Sequence, residues 1–139
     1  VTARCSLSAL SSQDEKLVHS VLAGLGAAVE ISEDLFDAVT AVSGSGPGFF
    51  FEYLLAYEEA AVSMGFTVEQ ARLLVRQTFA GSLELLAATG ETPEALRNQV
   101  TSPGGTTKAG LDALSAHAFK DAIKAALIAA KNRSAELGK

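Results

Sequence analysis

Between Thr101 and Thr107 the chain reads Thr-Ser-Pro-Gly-Gly-Thr-Thr, residue types suited to holding a small anion. Two glycines after a proline permit left-handed or strained backbone, and the residues that follow begin a helix. At such a junction successive free N–H groups form a concave site for negative charge, and the helix dipole adds partial positive charge. Ser102, Thr106 and Thr107 supply three hydroxyls. A carboxylate or a small phosphate matches this chemistry. The segment is not a phosphate-binding P-loop, because Lys108 follows the threonines instead of preceding them. The alternative reading of the same residues is a loop whose threonine caps a helix.

A second small-residue run, Ser43-Gly44-Ser45-Gly46-Pro47-Gly48, invites comparison with a dinucleotide fingerprint. The comparison fails, because Gly-x-Gly-x-x-Gly would need glycine at position 49, which is Phe49. No strand-turn-helix-strand unit surrounds the run either. It reads as a tight turn that lets two helices approach, or as the lining of a ligand site or interface. Other ionisable residues carry less chemistry. His19 falls within an amphipathic helix, His117 at a helix start, and Lys120 and Lys124 on a solvated face. Cys5, with Arg4 alone beside it and no neighbouring His, lacks the setting of an activated thiolate. One cysteine and two histidines are thin material for a metal site, and none is expected.

Composition narrows the classes. The chain has 139 residues, enough for one ordinary domain, and 48% of them are apolar against 19% charged, as in globular proteins. A net charge of −5 without a basic block argues against nucleic-acid binding. Glu52, Lys124 and Lys131 interrupt the longest apolar runs, so no stretch of ~18 residues is suited to a bilayer. A lone cysteine suits a reducing cytosol, so a cytoplasmic location is expected.

Helix punctuation sets where the two small-residue segments must lie. Ser12 and Glu15 are spaced as a capping box, ahead of Leu17, Val18, Val21, Leu22 and Leu25, with Gly24 or Gly26 as the stop. A short strand is possible at Val1–Cys5, and Val29-Glu30-Ile31 reads as an extended link. Ser32 caps a second helix, which the Ser43–Gly46 run breaks, leaving Pro47 as a first helical residue. The helix that follows, to about Met64, is apolar nearly all the way round. It is either the central core helix or a helix shared with a second copy of the chain. Thr67 opens a helix running to Gly90, and Thr92-Pro93 opens a short one to about Val100. After the Thr101–Thr107 segment come a helix with Ala109, Leu111 and Leu114 and a last helix from about Ala118 to Leu137. The fold class is all-α, with about seven helices.

Taken together, the two small-residue segments resemble a known family. The stretch Asp37–Pro47, followed about fifty residues later by Leu96-Arg97-Asn98-Gln99-Val100-Thr101-Ser102-Pro103-Gly104-Gly105-Thr106-Thr107, is similar to the C-terminal domain of pyrroline-5-carboxylate reductases. The similarity runs from about Ser12 onward. Gly48 and Phe49 stand where that family usually has Ala and Tyr, and the first ten residues are atypical. The resemblance implies a helical dimerisation domain like the C-terminal domain of 6-phosphogluconate dehydrogenase, assembled as an intertwined homodimer or a higher oligomer of dimers. It implies that Ser102, Pro103, Gly104, Gly105, Thr106 and Thr107 bind the carboxylate of 1-pyrroline-5-carboxylate. It implies also that Thr107 is the catalytic residue, hydrogen-bonding the ring nitrogen while hydride from NADPH or NADH reaches the imine carbon to give L-proline.

On this reading residues 1–11 are the end of a missing Rossmann domain or a linker, and 12–139 are the helical dimerisation and substrate-binding domain. The isolated chain is then expected to be dimeric, to bind no NADPH or NADH itself, and to be inactive, because a crevice lacking one wall cannot place a hydride donor. The alternative is a stand-alone, non-enzymatic module for oligomerisation or small-carboxylate binding. A related imine or β-hydroxyacid reductase as parent is disfavoured by the Ser-Pro-Gly-Gly-Thr-Thr loop.

Overall fold

Helix ends in this chain are set mostly by side chains and glycines a few residues apart. The computed structural model describes residues 1–6 and 8–138; Leu7, within the segment 1–11, and Lys139, at the end of 12–139, lie outside the described residues. Two compact units are formed, Val1–Pro47 together with Lys124–Lys139, and Gly48–Ile123.

In the first unit, strand β1 (Thr2–Arg4) pairs in parallel with β2 (Ala28–Glu30), Thr2 opposite Ala28 and Arg4 opposite Glu30. Helix α1 (Ser12–Ala23) connects them. The expected extended link at residues 29–31 is thus mostly a strand. Three residues are too few to show alternation, and their partner lies far away in sequence. Arg4 ties the crossover together, reaching Glu30 at 2.7 Å and Glu15 at 3.2 Å. The N-cap of α1 is Ser11, not Ser12: its hydroxyl oxygen accepts from the Asp14 N–H at 3.2 Å. Asp14, three residues on, completes that cap by accepting from the Ser11 hydroxyl at 2.6 Å.

The second helix departs from expectation. Ser32 makes no side-chain cap bond. The chain passes through a 3-10 turn (Glu33–Leu35) and a short α2 (Phe36–Val39) into a π-turn at Thr40–Gly44. Ser45 N–H reaches back five residues to the Thr40 carbonyl at 2.8 Å. The Ser-Gly-Ser-Gly run therefore widens the helical coil where a break was expected. None of Gly44, Gly46 and Gly48 is left-handed. Small side chains tolerate the wider coil, and Pro47 becomes the second residue of α3 (Gly46–Ser63), where its missing N–H costs nothing.

The second unit carries the remainder of α3 with α4 (Val68–Thr89), α5 (Pro93–Gln99), α6 (Thr106–Ala116) and the start of α7 (Phe119–Leu137). Thr67 and Gln70 form a reciprocal capping box on α4, and left-handed Gly90 ends it, as the sequence indicated. Thr92 caps α5 ahead of Pro93. Tyr53 and Tyr57 of α3 meet the ring of Phe79 of α4 edge-on, with centroids 5.4 and 5.3 Å away. Glu58 of α3 lies between Arg76 at 3.1 Å and Arg72 at 3.7 Å. Ala61, Ala71 and Val75 are buried in this unit. The architecture is helical, as expected, with the short parallel sheet as an addition.

Candidate functional site

The segment between α5 and α6 is built by a turn. Gly105 N–H donates to the Ser102 carbonyl at 3.0 Å, closing Ser102-Pro103-Gly104-Gly105. Proline at the second position and left-handed Gly104 (φ 71°) at the third are what a type II turn requires. A side chain at Gly105 would collide with Ser102 Oγ and sit 3.1 Å from the Ser102 carbonyl oxygen. The two glycines are thus favoured for different reasons, one conformational and one steric.

Gly105 is the N-cap of α6 and offers no capping side chain. The first helical bond is Ala109 N–H to the Gly105 carbonyl at 3.1 Å. Among the described residues, the N–H groups of Thr106, Thr107 and Lys108 therefore have no protein acceptor. Ser102, Thr106 and Thr107 hydroxyls are likewise unengaged among the described residues. Thr107 is half-buried, and Ser102, Pro103, Gly104 and Thr106 are exposed. The arrangement gathers three amides and three hydroxyls at the positive end of an eleven-residue helix. The Gly105 amide is spent inside the turn.

An open groove of 730 Å³ borders this loop, walled in part by Arg97, Thr101, Lys108, Asp112, Phe119 and Lys120, whereas Ser102–Thr107 lie outside its walls. Lys108 Nζ is held 2.6 Å from both Asp112 carboxylate oxygens, so its charge is already paired. Arg97 is shared between Glu94 at 3.2 Å and Asn98 at 3.1 Å.

The remaining ionisable residues are placed elsewhere. His117 is the C-cap of α6, at the end of one helix and not the start of the next. His19 lines a 480 Å³ cavity in the first unit with Arg4 and Glu30. Cys5 Sγ lies 2.6 Å from Glu33 Oε2, and that hydrogen bond, followed by desolvation and the carboxylate's charge, pushes the thiol's pKa up. No group of three or more His, Cys, Asp or Glu among the described residues is placed to hold a metal ion. A Gly-rich dinucleotide turn is not found at the β1–α1–β2 crossover. The crossover has the topology of half a dinucleotide site, but residues 5–11 contain no glycine and Glu30 is engaged by Arg4.

Sequence reasoning took Thr101 only as the start of the segment and missed the role of its hydroxyl, which donates to the Arg97 carbonyl at 2.6 Å. The available signal was a threonine four residues beyond Arg97 at a helix end.

Comparison with known proteins agrees with the resemblance drawn from the two segments. The family model described as pyrroline-5-carboxylate reductase dimerisation matches residues 33–137. Pyrroline-5-carboxylate reductase 2 of Bacillus subtilis is 42% identical over 127 residues, 91% of this chain and 46% of that protein. The crystal structure of a pyrroline-5-carboxylate reductase from Coxiella burnetii superposes with a TM-score of 0.90 at 34% identity, over 99% of this chain and 51% of that one. The Plasmodium falciparum pyrroline carboxylate reductase, solved with NADP bound, gives a TM-score of 0.86 at 32% identity, over 99% and 52%. This chain spans about half the length of the curated relatives it matches. With the family model covering both small-residue segments, the chain belongs to the pyrroline-5-carboxylate reductase dimerisation family.

Proposed function

We propose that residues 12–139 form the C-terminal dimerisation and substrate-binding domain of an oxidoreductase that reduces 1-pyrroline-5-carboxylate to L-proline, with NADPH or NADH held outside this chain. The observation that carries the reading is the set of amides at Thr106, Thr107 and Lys108, without a protein acceptor among the described residues, beside the Ser102–Gly105 turn. A carboxylate accepts from these amides and from the Ser102 and Thr106 hydroxyls. Charge-assisted bonds to a carboxylate are the stronger class of hydrogen bond. Thr107 is the catalytic residue, its hydroxyl hydrogen-bonding the ring nitrogen. The chain's own contribution is to bind and orient the substrate.

Dimerisation in a cytoplasmic enzyme fits the surface of the helices. Although α3 is apolar nearly all round, Phe51 is 64% exposed and Leu55 49% exposed. Leu73 and Leu83 on α4 are open as well. A second copy, singly or in a higher oligomer of dimers, covers such faces as an obligate interface does.

Titrating L-proline into the isotopically labelled chain tests the site. Amide shifts are expected at Thr106, Thr107 and Lys108; Thr107→Ala lowers the affinity several-fold, and Lys131→Ala leaves it unchanged. Absence of loop shifts overturns the reading. The turn and its free amides lie wholly within one unit, which equally suits a non-enzymatic carboxylate-binding module. Joining the chain to the cofactor-binding half of a relative separates the two: reductase activity that falls with Thr107→Ala supports the enzyme.

A further inference from the structure

The loop's free amides are useful only if the chain leaving α5 is fixed. A helix ends with four carbonyls that its own amides cannot reach. In α5 the Leu96 carbonyl accepts from Val100 N–H at 3.3 Å, and the Asn98 carbonyl accepts from Thr101 N–H at 3.2 Å. The Arg97 carbonyl is met differently, by the Thr101 hydroxyl at 2.6 Å in a part-buried contact. Amides just beyond a helix end commonly serve that purpose. Here the side chain takes the carbonyl, and the Ser102 N–H has no protein acceptor among the described residues. Main chain and side chain of one residue thus satisfy two of these carbonyls, and the reversal starts at the next.

We propose that Thr101 is a positioning residue for carboxylate binding: its hydroxyl fastens the start of the Ser102–Gly105 turn to α5 and so fixes where the amides of Thr106–Lys108 are presented. The inference rests on the reading of this loop as the carboxylate site. Ser102, Thr106 and Thr107 form no side-chain hydrogen bonds among the described residues, and Gly105 has no side chain to cap α6. Thr101 is therefore the side-chain anchor of the segment. Its β-branched stem leaves little χ1 freedom, which suits a fixed anchor.

The test compares Thr101→Val, of the same shape without the donor, with Thr101→Ser, which keeps the donor. L-proline affinity and hydrogen exchange of the Gly105 N–H are measured on the 139-residue chain. Thr101→Val is expected to weaken proline binding about fivefold and to speed Gly105 exchange, and Thr101→Ser to restore both. Thr107→Ala weakens binding without changing that exchange. The proposal is overturned if Thr101→Val binds proline as the parent chain does, even with a lowered melting temperature. It is overturned too if both Thr101→Val and Thr101→Ala fail to fold, since the hydroxyl is then only structural. If the parent chain itself shows no loop shifts with proline, the site reading fails first and the anchor falls with it.

Discussion

Cys5 shows how one neighbour decides what a side chain can do. The Glu33 carboxylate accepts its S–H, which stabilises the neutral thiol and raises its pKa. At any given pH near neutrality the thiolate fraction is therefore below that of a free cysteine. Replacing Glu33 with Gln removes the charged acceptor, so the pKa falls and alkylation by iodoacetamide at mildly alkaline pH is expected to run several-fold faster, as mass spectrometry would record. The same economy of neighbours explains what was legible at the loop. Pro103 and Gly104 state their turn in their own residue types, because each conformation is a property of that residue. Thr101 was opaque, because a threonine at a helix end donates to a carbonyl, to water or to nothing depending on the path of the chain.

Junctions between elements repeat that contrast. Gly104 at φ 71° and Ala118 at φ 53° both adopt left-handed backbone, but only one is a glycine. Left-handed backbone costs an L-residue about 1–2 kcal/mol, and glycine's extra chain entropy returns about 0.5–1 kcal/mol of that. Ala118→Gly, between α6 and α7, is thus expected to stabilise the chain by about 0.5–1 kcal/mol, and Gly104→Ala to destabilise it by a similar amount, in denaturant unfolding. Caps at Thr67 and Thr92 could be read from the sequence because donor and acceptor are three residues apart. The parallel pairing of Thr2–Arg4 with Ala28–Glu30 could not, since two three-residue strands carry no pattern of their own. The π-turn at Thr40–Gly44 was hidden for a third reason: small residues permit a break and a widened coil equally.

At the scale of the molecule, the buried apolar residues among those described are Ala41 in the first unit and Ala61, Ala71 and Val75 in the second, all of them small side chains. Most of the large apolar residues on α3 and α4 remain at least partly open. This explains why the apolar helix after Pro47 was ambiguous in the sequence: a helix apolar on every side announces that it will be covered, not by which chain. Leu73 is 64% exposed, so Leu73→Glu leaves the single-chain packing intact and is expected to convert a dimer to a monomer by light scattering. Assembly through such faces has a thermal signature of its own. Burial of hydrocarbon at these temperatures is favoured by entropy and carries a negative heat capacity, so the tendency to associate fades on chilling. For the proposed dimer, samples kept on ice are therefore expected to dissociate further than those at room temperature, which sedimentation velocity at the two temperatures checks.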